Sequence, residues 1–127
     1  MNKKLTFLLT ALLLMMGLVS WAQTNASIDF SAQGYSNAQE ITSAVIDENV
    51  TVTFNKGSNN NTPKYYNTGT AVRCYGGNYF TVSTTSGEIQ GITLTFGSGD
   101  GSNAITTEVG TFTNPTWAGS AQSLGRL

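Results

Sequence analysis

The residues with side chains able to hold a sugar are Tyr65, Tyr66, Arg73, Tyr75, Asn78 and Trp117, with Tyr79 beside them in the sequence. A sugar ring has apolar C–H faces that stack on aromatic rings, and polar edges that bond to arginine and amide groups. Along an extended backbone, side chains alternate between faces. In Ala71–Tyr75, Val72 and Cys74 therefore share one face, while Ala71, Arg73 and Tyr75 share the other. Arg73 and Tyr75 are predicted to point away from the core, beside a Gly76-Gly77-Asn78 turn and close in sequence to Tyr79. The same alternation sends one of Tyr65 and Tyr66 inward, and Trp117 is also suited to covering a core edge.

Other chemistries are poorly served. The chain has no histidine, which removes Ser-His-Asp and Cys-His arrangements and the commonest general base. Its single cysteine can build neither a thiolate zinc site nor an intrachain disulfide. Cys74 reads instead as a small apolar filler. The adjacent acids Asp47 and Glu48 fall at a predicted hairpin tip, where they are solvated turn charges rather than a glycosidase pair. Asp100-Gly101-Ser102-Asn103 supplies oxygen atoms of the kind calcium takes, but has one carboxylate and no EF-hand spacing, so it reads as a turn. Gly97–Gly101 lacks the Lys-Ser/Thr of a phosphate loop and opens no helix. The expectation is a non-enzyme without cofactor or metal.

The N-terminus carries an address. Lys3 and Lys4 precede an uncharged apolar run from Leu5 to Val19, and Ser20-Trp21-Ala22 puts small residues before a cleavage point at Gln23. At about 15 residues the run is short for a bilayer helix, which needs ~20. Residues 1–22 are thus predicted to be a signal peptide, with the product secreted or held at the cell surface and no membrane span in the mature chain. The remaining residues carry four lysines and arginines against seven acids, net −3 and scattered. No basic stripe marks a nucleic-acid binder, and no polybasic run marks an anionic membrane surface.

The elements that must position these residues have a two-residue rhythm. Val50-Thr51-Val52-Thr53-Phe54 alternates most cleanly and pairs with the run Ile41–Ile46 across an Asp47-Glu48-Asn49 turn. Ile28 and Phe30 are predicted inward. Further short strands are predicted at Lys64–Asn67, Ala71–Tyr75, Tyr79–Thr84, Ile89–Phe96 and Ile105–Phe112. The fold class is all-β: an antiparallel, jelly-roll-like β-sandwich of seven or eight short strands after an N-terminal signal helix. Its boundaries are a signal peptide at 1–22, the sandwich at 23–117, and an irregular tail at 118–127. That tail lacks β-branched residues and alternation, and suggests a reading frame truncated relative to a complete module.

The run Asp29–Gln39, together with Pro63–Arg73, Tyr75-Gly76-Gly77-Asn78 and Ile92–Gly99, resembles a β-sandwich module of secreted and surface proteins of gut and oral anaerobic bacteria. The resemblance covers Ser27 to Trp117. Such modules lie beside extracellular nuclease and adhesin-like domains, and the resemblance implies a fold and a location without an established activity. Relatives carry a larger aliphatic residue at the Cys74 position and continue past the Trp117 region with further strands. The function expected is a non-catalytic recognition or accessory module that binds a glycan. The alternative is a structural or protein-interaction module that meets a cell-surface protein and has no small-ligand site.

Overall fold

The computed structural model describes residues 8–14, 21–97, 104–125 and 127. Its elements are β1 (Leu8–Leu14), β2 (Trp21–Ala26), β3 (Gln39–Glu40), β4 (Ser43–Val45), β5 (Val50–Asn55), β6 (Lys64–Tyr66), β7 (Ala71–Arg73), β8 (Tyr79–Thr84), β9 (Glu88–Thr93), β10 (Thr111–Thr113) and β11 (Thr116–Ala121). A 3-10 turn at Phe30–Ala32 is the one helical element among the described residues, and the Asp29 carboxylate caps it by accepting from the Ser31 amide at 2.9 Å. Three antiparallel sheets pack together as a β-sandwich, ordered β10-β11-β9-β1-β2, β3-β6-β7 and β4-β5-β8.

The predicted rhythm builds the centre of the molecule. In β5, Val50, Val52 and Phe54 are buried and Thr51 and Thr53 face outward. β4 pairs with β5 from Ser43↔Thr53 to Val45↔Thr51. Asp47 makes the intervening turn, its carboxylate accepting from the amides of Asn49 (2.8 Å) and Val50 (2.9 Å). β8 lies on the other side, with Phe54 opposite Phe80 and Val52 opposite Val82. Phe30 and Phe54 meet edge to face at 5.7 Å, a geometry that suits the ring quadrupole, and Phe54 and Phe80 pack tilted at 6.0 Å. Ile89, Ile92, Leu94, Trp117, Tyr65 and Val72 belong to the same buried cluster.

Two expectations fail at the ends of the chain. The predicted N-terminal signal helix is not formed at Leu8–Leu14, which is strand β1, paired with β2 on one side and β9 on the other. In water a lone apolar helix has nothing to pack on, whereas this strand finds backbone partners along both edges. The tail expected to be irregular is also paired. Thr116–Ala121 is strand β11, bonded to β9 and β10. Beyond it, Leu127 and Phe80 exchange both backbone hydrogen bonds (2.9 and 3.1 Å), Leu124 donates to Val82 (3.1 Å), and Thr84 donates to Gln122 (2.9 Å). The chain thereby leaves one sheet and continues along the β8 edge of another, burying Leu124 and Leu127. A strand edge recruits backbone whatever its side chains, so pairing overrides the weak propensity of Gly, Ser and Ala.

Candidate functional site

β6 and β7 carry the centre of the candidate surface, in a register of Lys64↔Arg73, Tyr65↔Val72 and Tyr66↔Ala71. Alternation sends Tyr65 and Val72 into the core and turns Lys64, Tyr66 and Arg73 outward, half-buried. Ala71, expected outward, is buried as well. The Arg73 guanidinium lies over the Tyr66 ring, 4.2 Å from its centroid. Such a cation–π contact is worth about 0.5–1 kcal/mol at an exposed site. The Tyr66 and Tyr75 hydroxyls are 3.0 Å apart and share a hydrogen bond. Desolvation raises the Tyr75 pKa above its ordinary 10.0, helped by the bond to Tyr66, while the bond to Arg73 pulls the other way. The phenol is therefore neutral at physiological pH.

Tyr66, Arg73 and Tyr75 thus form one surface cluster, and the other three candidates play different parts. Tyr65 is buried with its ring against Tyr35 at 5.7 Å. Asn78 spends its whole amide on the fold: its oxygen accepts from the Tyr75 amide at 2.7 Å, and its nitrogen donates to the carbonyls of Lys56 (2.8 Å) and Asn61 (2.9 Å). It ties the Asn-rich loop to the Gly76-Gly77 turn and so holds Tyr75 in place. Asn59 adds a second tie by donating to the Gly76 carbonyl at 2.8 Å. The loop approaches so closely that a Cβ on Gly57, whose φ is +57°, would stand 2.1 Å from the Gly77 carbonyl oxygen.

Trp117 offers no stacking face. It is fully buried, and its indole N–H donates to the Val109 carbonyl at 2.6 Å. Two glycines make room for the ring. A Cβ on Gly110 or Gly119 would come within 2.7 Å or 2.6 Å of Trp117 carbons.

The cluster has neighbours that sequence reading missed. Register lines up Glu40, Lys64 and Arg73 across three strands. Lys64 was within reach, because it lies two residues before Tyr66 on the same strand and must share its face. Glu40 arrives through a long-range pairing that leaves no local signal. Because Arg73 already covers one face of Tyr66, the cluster presents a stacked guanidinium and two coupled phenols, which suits sugar hydroxyls better than open-ring stacking.

Cys74 is half-buried and packs against the core. Asp47 serves its own turn, as above. The loop around Asp100 lies outside the described residues. Among the described residues, no three His, Cys, Asp or Glu side chains gather to hold a metal ion, and no helix is long and apolar enough to cross a membrane. No protein-family model, curated protein or solved structure matches the chain.

Proposed function

We propose that this chain is an exported, non-catalytic recognition module whose Tyr66–Arg73–Tyr75 surface binds a saccharide. One observation carries the reading: a guanidinium stacked at 4.2 Å on one tyrosine whose hydroxyl is bonded at 3.0 Å to another. The contacts hold the planar donor fork of arginine in place, so less side-chain entropy is lost when hydroxyls bind. Residues 1–22 are proposed as the cleaved export signal, and a location outside the cell or on its surface follows from it. The resemblance to surface modules of gut and oral anaerobes supports the same setting.

A glycan array tests the binding. Saturable binding by the wild-type chain is expected, falling roughly tenfold or more in Arg73→Ala and Tyr75→Ala, with Thr53→Ala, on the solvent face of a strand in another sheet, unchanged. Equal binding by the wild-type chain and both variants, or no glycan bound at all, overturns the reading. The second reading, a protein-interaction module, draws its support from the edge of β9.

A further inference from the structure

β1 lies between β9 and β2 with ladders on both sides: Leu8–Leu12 run antiparallel to Glu88–Thr93, and Leu9–Leu14 antiparallel to Trp21–Ala26. Among the described strands, β2 pairs with β1 alone. Cleavage after Ala22, the export reading on which this inference rests, removes all of β1. β9 then loses its partner on that side, while β11 still holds the other.

We propose that the vacated slot beside β9 is a strand-acceptor site, filled in the exported protein by an extended apolar segment of a partner protein laid antiparallel to β9. Strand addition of this kind draws affinity from main-chain hydrogen bonds and specificity from alternate side-chain positions. Ile89 and Ile92 are buried at 0% and 2% exposure, and Ile92 is opposite Trp117 on the other flank. A strand entering at the register of Leu9↔Ile92 and Ala11↔Ile89 extends that apolar layer, so those two positions of the partner are expected to be aliphatic. The chain's own Leu-Leu-Thr-Ala-Leu-Leu-Leu shows the chemistry that fits.

β9 of a second copy does not fit, because one of its edges is taken by its own β11, whereas a strand between β9 and β2 needs both edges free. The occupant proposed is an extended segment with both edges free.

The test uses the full chain carrying Ala11→Pro, which removes a backbone donor from β1 and breaks its ladders. The probe is a fluorescent peptide of the Leu8–Leu14 sequence flanked by lysine pairs. Saturable binding about tenfold tighter to the variant than to the wild-type chain is expected, with no binding of a peptide carrying proline at its third and fifth positions. Equal binding to both chains, or none to a variant that still melts cooperatively, overturns the proposal. If Ala11→Pro does not fold, amide exchange of Glu88–Thr93 in the wild-type chain decides it. Exchange is expected to quicken about tenfold when signal peptidase removes the leader, and to slow again with peptide. Unchanged exchange, or dimerisation without peptide binding, overturns the proposal. N-terminal sequencing of the exported product separates the two claims: a start other than Gln23 overturns the export reading, while peptide binding to Ala11→Pro stands apart from it.

Discussion

The phenol of Tyr75 is the most informative single group on the candidate surface, because three influences meet there. Burial and the Tyr66 hydroxyl push its pKa above 10.0, and Arg73 opposes them. A raised acid in the folded state favours the protonated form, so its stabilising contribution is complete below the ordinary value and is lost as pH rises through the folded one. Melting temperature is therefore expected to fall above about pH 10, where an unperturbed phenol ionises, and Tyr75→Phe to flatten that fall. An identical alkaline profile in the variant contradicts the assignment. Asn78 makes a different prediction at the same scale. Asn78→Ala leaves the Lys56 and Asn61 carbonyls and the Tyr75 amide without their shared partner. A loss of about 1–3 kcal/mol in denaturant melts is expected. Alternation placed Arg73 outward correctly, but Ala71 on the same predicted face is buried, and Tyr75 lies beyond β7, held by Asn78. Alternation could not tell that Asn78 was committed inward, since its partners lie 17 and 22 residues away.

At the scale of elements, the β10–β11 hairpin depends on Trp117 fitting between Gly110 and Gly119. Gly110 has φ +72° and its Cβ would also stand 2.5 Å from the Ala118 carbonyl oxygen, whereas Gly119 has no positive φ and would crowd chiefly the ring. Gly119→Ala is expected to cost about 1–3 kcal/mol by overpacking alone. Gly110→Ala should cost more, because strain at positive φ is added. Chemical denaturation of both variants checks the order. The strand β11 itself shows where side-chain pattern misleads. Ala118-Gly119-Ser120-Ala121 has no β signature, yet its backbone completes the ladder to β9. Val50–Phe54 is the opposite case: alternation, turn chemistry at Asp47 and burial all agree, and the expected hairpin forms across that turn.

For the whole molecule, the chain end joins two sheets. Thr116–Ala121 belongs to the sheet of β9, while Gln122, Leu124 and Leu127 bond along β8, and Leu124 and Leu127 enter the core. Leu124→Ala is expected to destabilise the protein by about 2–5 kcal/mol, as truncation of a fully buried leucine does. Thermal unfolding of the variant measures it, and a loss under half a kilocalorie would mean that this segment does not close the core. Leu8–Leu14 takes the corresponding role beside β9. In the uncleaved chain both segments therefore cover strand edges that would otherwise expose backbone donors and acceptors.

The sequence by itself determined the all-β class, the central hairpin and the inward face of β5, because a period of two is a local property of the backbone. It also determined the outward placement of Arg73 and the poverty of catalytic groups. Only the tertiary structure decided the rest: that Trp117 is enclosed by glycines, that Asn78 is a tie, that Lys64 and Glu40 line up with Arg73, and that Leu8–Leu14 and Thr116–Ala121 pair as strands. Each of these depends on which distant backbone lies alongside, and hydrogen bonds between main chains carry no mark in the side-chain pattern.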